Sequence, residues 1–315
     1  MMQVISRIMG KSMQYYTDIN SYQGTESTAI TLGKFDSLHR GHQKLISRVR
    51  DSAEKEKLKS IVFAFDMKRD TLLTNRERRQ HLEKQVDCMI ECPFTKEIRE
   101  MEAETFIEEV LVNTLHASHI VVGTDFGFGH GKRGDAGMLA EYAEKYNYQL
   151  DVVGKELYNG REISSTYVRE ALEAGDVKLA NQLLGYPYHM SGLVEHGRRL
   201  GRTLGFPTMN ITPAERKIVP RFGVYTCGIQ VDGVNYHGIG NVGIKPTVTD
   251  ESRLLTEVFV FGFKGDAYGK EIRVKFCSFV RPETKFCSVE ELKKQVDRDI
   301  ESGKEYFLRE ECVRI

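Results

Sequence analysis

The stretch TAITLGKFDSLHRGHQKLISRVRDSA, residues 28–53, decides how the first half of the chain is read. Thr28 to Leu32 is a short apolar run that predicts a strand, and Leu45, Ile46, Val49 and Ala53 then recur at helical spacing. Between them lies the turn Gly33-Lys-Phe-Asp-Ser-Leu-His-Arg-Gly-His42. A strand entering a helix through such a turn opens a βα unit, and ligands of open α/β sheets bind outside the carboxyl ends of the strands. The helix start offers free backbone N–H groups and the positive end of its dipole, His39 and His42 are potential donors to phosphate oxygens, and Gly41 permits close approach of a nucleotide. The turn has no Walker A pattern, so a P-loop is excluded. Two surface histidines at a helix start, or an i, i+3 metal pair lacking a third ligand, are the plainer readings of the same residues.

The alternation continues outward. Ser60 to Phe65, Asp87 to Glu91, His119 to Gly123 and Gln149 to Val153 read as strands. Arg76 to Val86, the stripe Phe106, Ile107, Val110, Leu111 and Leu115, and Ala136 to Tyr146 read as helices. Strands alternating with helices predict a largely parallel sheet covered by helices. Ser164 to Ala174 and Val177 to Leu184 are two further helices separated by Gly175, and Gly185 to Tyr188 reads as a linker. Beyond it the texture changes to strand pairs: Gly223 to Val231, the turn Asp232-Gly233, Val234 to Gly238, then Thr256 to Phe263 and Glu271 to Val280. This predicts a small antiparallel sheet or barrel, closed by a charged helix over Ser288 to Ser302 with Ser288 and Glu291 as a capping box. The expected domains are 13–185 and 186–315, and residues 1–12, with Met9 and Met13 as alternative starts, are expected to be weakly ordered.

Composition narrows the function. The 315 residues are 40% hydrophobic and 29% charged, enough apolar material for folded cores. Forty-five basic residues balance 45 acidic ones, and neither half is a basic lobe: 25 against 28 before Gly185, 20 against 17 from there on. Non-specific nucleic-acid binding therefore has no electrostatic footprint. No apolar run reaches membrane-spanning length and the N-terminus does not read as a secretory signal. Six scattered cysteines without a C-x-x-C pair fit a reduced, cytoplasmic protein, Cys88 and Cys92 lacking a second ligand pair for a metal.

Further candidates follow. Ser164, Ser165 and Thr166 are helix-capping residue types, with Arg169 about a turn further on, in reach of an anion at that helix start. The glycine-rich loop from Gly123 to Asp135 carries Asp125, Phe126 and Phe128, aromatics suited either to a planar ring or to packing. In the second half, Gly197, Gly201 and Gly205 interleave with Arg198, Arg199 and Arg202, a composition suited to enclosing phosphates. Thr208 and Asn210 place oxygens on one face of an extended segment, as Mg²⁺ ligation requires. Glu257, flanked by apolar residues, is either a general base for a hydroxyl or a strand-edge carboxylate.

Taken together, GKFDSLHRGH, VVGTDFGFGHGKRGD, ISSTYVREAL, ANQLLGYPY, GRTLGFPTMN, GVY, NVGIKPT, TEVFVF and RPETKF resemble the bifunctional bacterial riboflavin kinase/FAD synthetase family, from about Ile30 to the C-terminus. The resemblance implies an N-terminal α/β nucleotidyltransferase domain, Rossmann-like with a parallel sheet, and a small antiparallel β-barrel riboflavin-kinase domain with a C-terminal helix. It implies transfer of AMP from ATP to FMN in the first and of the γ-phosphate of ATP to riboflavin in the second, with Mg²⁺, so that riboflavin, FMN, FAD and ATP are the partners. His39 and His42, with Gly33, Phe35 and Gly41 in the same turn, match its ATP-phosphate motif, and Ser164, Ser165, Thr166 and Arg169 its second nucleotide motif. Gly201, Arg202, Gly205, Thr208 and Asn210 fall on the kinase's Mg-ATP motif, Glu257 on its base, and Asp125, Phe126, Phe128 and Arg281 on flavin-side segments. Lys34 and Ser37 stand where Asn and Gly are usual, Met209 where Ala is, and Gly262 where Asp is common. Residues 66–75, DMKRDTLLTN, lack the family's proline-and-histidine pattern. A kinase with an altered first domain, and a flavin-binding regulator without catalysis, are the alternatives.

Overall fold

A computed structural model describes residues 12–67, 70–197, 201, 204–246 and 252–309. The chain divides into two compact units, one through Ser164 and one from Ser165. Residues 1–11, Arg198, Arg199, Arg202 and Thr247 lie outside the described residues.

The first unit is a six-stranded parallel sheet. Its strands are β1 (Gln14–Tyr16), β2 (Thr28–Gly33), β3 (Lys59–Asp66), β4 (Cys88–Pro93), β5 (Ala117–Gly123) and β6 (Gln149–Val153). Their spatial order is β1-β4-β3-β2-β5-β6. The chain therefore moves away from β2 through β3 and β4, then returns to β5 on the other side of β2. The switch point lies between the carboxyl ends of β2 and β5, at Gly33 and Gly123. Apolar residues on both faces explain the unbroken runs in the sequence: Ile30, Ile61, Phe63 and Ile120 face the larger cluster, Ala29 and Val121 pack against Val49 and Ala53 of helix α1 (Arg40–Glu56).

Several expectations change for identifiable reasons. The helix expected over Arg76 to Val86 is α2 (Asn75–Leu82), because Gln85 folds back, its N–H to Leu82 and its amide to His81. The stripe from Phe106 is a π-helix, Phe106–Thr114, in which Leu115 N–H bonds Val110 C=O at 3.0 Å. The stripe holds pairs at both spacings, 107/111 and 111/115 four apart and 106/111 and 110/115 five apart, so its periodicity alone does not separate the π form from the α form. Helix α3 (Ala136–Tyr146) lies where its pattern predicts.

The second unit opens with α4 (Ser165–Ala174) and α5 (Val177–Leu184). A closed barrel follows, of β7 (His189–Glu195), β8 (Thr208–Ile211), β9 (Gly223–Val231), β10 (Val234–Pro246), β11 (Ser252–Val260) and β12 (Glu271–Arg281), in the order β7-β8-β11-β10-β9-β12. All its pairings are antiparallel. Gly185 to Tyr188 is not a free linker: Asn181 donates to Phe276 C=O at 2.8 Å and accepts from Tyr188 N–H at 2.7 Å, and Tyr188 is fully buried. Strand β10 runs past the expected end at Gly238, since a Cβ there would lie 2.2 Å from Phe259 O; the glycine admits a neighbouring backbone rather than a turn. Helix α6 (Val289–Arg309) likewise continues through Gly303, where a Cβ would meet Ile239 at 2.8 Å. At its start Ser288 Oγ accepts Glu291 N–H at 3.2 Å, while Glu291 reaches back to Cys287 N–H instead of Ser288.

Candidate active sites

In the first unit the two motifs read from sequence end neighbouring strands. The Gly33–His42 turn leaves β2, and the Gly123–Asp135 loop leaves β5. The turn is tightly wound. Phe35 and Leu38 hold φ of 44° and 46°, values that side-chain-bearing residues adopt only under constraint, and both are buried. Asp36 supplies part of that constraint by accepting Leu72 N–H on its carboxylate and Leu73 N–H on its carbonyl, both at 3.0 Å. The unusual 66–75 segment is thus tied to the turn.

His39 caps α1: its Nδ1 accepts His42 N–H at 3.2 Å. The two imidazoles stack at 3.8 Å, and the Phe35 ring lies tilted against His42 at 5.0 Å. Gly41 has a role the sequence did not suggest, because a Cβ there would press on the His39 ring at 3.1 Å. Burial lowers the His39 pKa to about 4 and holds His42 well below its ordinary value, with the neighbouring ring and Arg78 adding to the effect on His42. Both are therefore neutral near pH 7. With Nδ1 accepting, the proton of neutral His39 resides on Nε2, which is then a hydrogen-bond donor. Asp125, on the β5 loop, is close enough to act electrostatically on His39, and it pairs with Lys155 at 3.2 Å.

Residues that sequence reading missed stand behind the turn. Arg78 of α2 and Glu91 of β4, each 3% exposed, form a buried pair, with Arg78 Nε on Glu91 Oε1 at 2.9 Å. Arg78 also donates to Lys34 C=O at 3.1 Å, and Tyr15 of β1 donates to the other Glu91 oxygen. A lone Glu in the apolar run CMIECP was the available signal. Phe128 is a core residue, 4% exposed, flanked by Phe106 and Phe126, each at 5.6 Å. Phe126 lies above it, half-buried. Ser164 ends the first unit, and Ser165, Thr166 and Arg169 belong to α4 of the second.

On the barrel, Asn210 of β8 pairs in register with Glu257 of β11. Directly paired residues share a face, and Thr208, two positions from Asn210, shares it too. Met209 points the other way, buried opposite Val258, so the unusual methionine lies off the site. Asn210 Oδ1 is buried without a hydrogen-bond partner, and a Cβ at Gly197 would lie 2.5 Å from the Asn210 amide nitrogen. The start of the glycine-arginine loop therefore lies against Asn210. Gly205, at φ 91°, and the bond from Phe206 N–H to Gly201 C=O at 2.9 Å turn the chain back into β8. Arg281 is committed to the buried Asp299 of α6 through Nε at 2.9 Å and Nη2 at 2.6 Å. It braces the helix against the barrel rather than presenting an unpaired cation.

An α/β unit with a neutral histidine turn at its switch point, followed by a barrel with a half-buried carboxylate beside an orphaned amide oxygen, has the features of a two-site enzyme of group transfer. A FAD synthetase family model matches residues 21–167 and a riboflavin kinase model residues 184–307. A bifunctional riboflavin kinase/FMN adenylyltransferase of Haemophilus influenzae is 36% identical over 91% of this chain and 97% of its own. Proteins of the same description from Listeria monocytogenes and Escherichia coli K12 are each 35% identical, over 93% and 90% of this chain and 95% and 93% of their own. A crystal structure described as a macrolide-efflux protein from Streptococcus pneumoniae superposes with a TM-score of 0.84 at 28% identity, covering 93% of this chain and 98% of that one. Among the described residues no helix is long and apolar enough to cross a membrane. The chain belongs to the bifunctional riboflavin kinase/FMN adenylyltransferase family.

Proposed function

We propose that this chain makes both flavin nucleotides, phosphorylating riboflavin to FMN at the barrel and adenylylating FMN to FAD at the α/β unit. The observation that carries this is the match of two different family models, in order along one chain, at residues 21–167 and 184–307. The domains are assigned as 13–185 for adenylyl transfer and 186–315 for the kinase, and the protein is placed in the cytoplasm.

In the kinase reaction Glu257 accepts the proton of the riboflavin hydroxyl as its oxygen bonds to the γ-phosphorus of ATP and ADP departs. Thr208 and Asn210 hold Mg²⁺, for which the buried, unpartnered Asn210 Oδ1 is a fitting ligand. The ion, when bound, offsets phosphate charge. Gly201, Arg202 and Gly205 are assigned to ATP phosphate binding on the strength of their motif alone. In the adenylyl transfer the FMN phosphate attacks the α-phosphorus of ATP and pyrophosphate leaves. Gly33, Phe35 and Gly41 shape the turn by backbone, and His39 and His42 donate to phosphate oxygens whose charge grows in the transition state. Because both rings are neutral, they act as dipolar donors rather than as cations. Ser164, Ser165, Thr166 and Arg169 are read as the second nucleotide motif, Phe126, supported by Phe128 and beside Asp125, offers a face to the flavin, and Arg281 acts on the flavin side of the kinase as a brace.

Incubation with riboflavin, ATP and Mg²⁺, followed by chromatography, tests the reading. FMN and then FAD are expected. FMN without FAD would reduce it to a kinase with an inactive first unit, and no product at all would leave a flavin-binding protein.

A further inference from the structure

Glu257 has a second neighbour of the same kind. In the barrel register it stands opposite Asn210 of β8 on one side and Asn241 of β10 on the other. Direct pairing puts all three side chains on one face. The row continues through Val224 of β9 to Arg281 of β12, which α6 holds through Asp299. The intervening positions, Met209, Gly240 and Val258, form the opposite, inward row. Like Asn210, Asn241 has its side-chain Oδ1 buried with no hydrogen-bond partner. An orphaned buried amide oxygen costs stability unless a ligand satisfies it.

We propose that Asn241 binds the alcohol substrate: its side-chain amide hydrogen-bonds a hydroxyl of the ribityl chain and sets the reacting hydroxyl against Glu257. This deepens the kinase reading and rests on it. Two observations separate this role from that of Asn210. Gly197, which starts the glycine-arginine segment, abuts Asn210, where a Cβ on it would be 2.5 Å from the amide nitrogen, so the phosphate-donor side of Glu257 is assigned to the β8 side. Asn241 lies across the carboxylate from it, on the side left for the acceptor. A hydroxyl also suits an amide better than a cation does, since it donates to the carbonyl end and accepts from the NH₂ end. A polyol chain carries several such hydroxyls, and fixing one orients its neighbour for transfer.

The test uses the full-length protein. Riboflavin binding is measured by quenching of flavin fluorescence, and steady-state kinetics are measured against riboflavin and against ATP separately. Asn241→Ala is expected to weaken riboflavin binding and raise its KM about tenfold, the scale of one lost hydrogen bond at a site that leaves a polar group unpaired, with the KM for ATP unchanged. Asn241→Ser, which restores a hydroxyl on a shorter arm, is expected to recover part of the loss. A KM for ATP that rises as much as that for riboflavin, or unchanged riboflavin binding in both variants, would overturn the inference. Thermal melting of the full-length protein reports folding in each preparation, and if Asn241→Ala fails there, Asn241→Ser carries the comparison. If the wild type binds riboflavin with Asn241-dependent affinity but forms no FMN, the kinase reading fails while the binding role stands.

Discussion

His39 Nδ1 accepts the backbone N–H of His42 while the two rings lie stacked 3.8 Å apart. One histidine thus ends the turn, caps the helix and fixes its own tautomer, leaving Nε2–H as its ring donor. His39→Ala removes cap and donor together, whereas His39→Asn preserves a cap-competent side chain. Both variants should lose about 10²–10³-fold in FAD formation, the scale of one preorganised donor. Only His39→Ala should also lower the melting temperature, and riboflavin phosphorylation by either should match wild type. FAD formation at the wild-type rate by His39→Asn would remove His39 from the chemistry.

The same burial predicts a pH dependence of stability. The pKa of His39 falls from about 6.5 in the unfolded chain to about 4 in the folded one, and that of His42 shifts in the same direction. Below pH 6.5 the unfolded state takes up protons that the folded state refuses, so stability is lost as pH falls towards 4. Replacing His42 with Gln should flatten the part of the pH–stability curve below about 6.5 that this histidine contributes. Denaturant melts of wild type and variant across that window check it, and parallel curves would count against it.

Arg78 and Glu91 meet in the interior, and Arg78 also holds Lys34 C=O at the start of the turn. Glu91→Gln leaves a buried guanidinium without its counter-charge, which should cost about 3–5 kcal/mol. FAD synthesis should fall with the distorted turn while the kinase, on a separate unit, is spared. Chemical denaturation with both assays measures this; a loss below about 1 kcal/mol, the range of an exposed pair, would show that the pair is not buried in solution.

Glu257→Gln should abolish FMN formation, a loss of about 10²–10⁴-fold, and leave FMN adenylylation intact. Chromatographic assay of each half-reaction decides it. Wild-type FMN production by the variant would exclude Glu257 as the base.

The place of the division is testable by truncation. Asn181 bonds to Phe276 and Tyr188, and Leu183 and Leu184 of α5 are fully buried. A fragment of residues 165–315 should therefore be soluble and melt cooperatively, whereas 186–315 should be less stable through loss of these contacts. Equal melting of the two fragments would show that the helices add nothing to the barrel.

How much the sequence determined varies with the length scale of the cause. Period and punctuation marked the alternating strands and helices, the change of texture after α5, the Asp232-Gly233 hairpin, and the histidine turn between β2 and α1. These are local: a strand-to-helix turn or an i, i+2 pair such as Thr208 and Asn210 is written in consecutive residues. What the tertiary structure decided depends on which strands become neighbours. The β2–β5 adjacency brings Asp125 near His39, and barrel register sets Glu257 between Asn210 and Asn241. The glycines show the same limit. Gly175 follows a helix with φ 83°, as its place between the two helical patterns predicted, but Gly303 and Gly238 read as stops and prove to be places where Ile239 and the Phe259 backbone press close. A glycine that frees a dihedral and one that makes room look identical in sequence, because the atom that needs the room comes from a distant segment. Arg78 and Glu91 were passed over for the corresponding reason: charges are ordinarily solvated, and only packing reveals that these two are paired in the interior beneath the site.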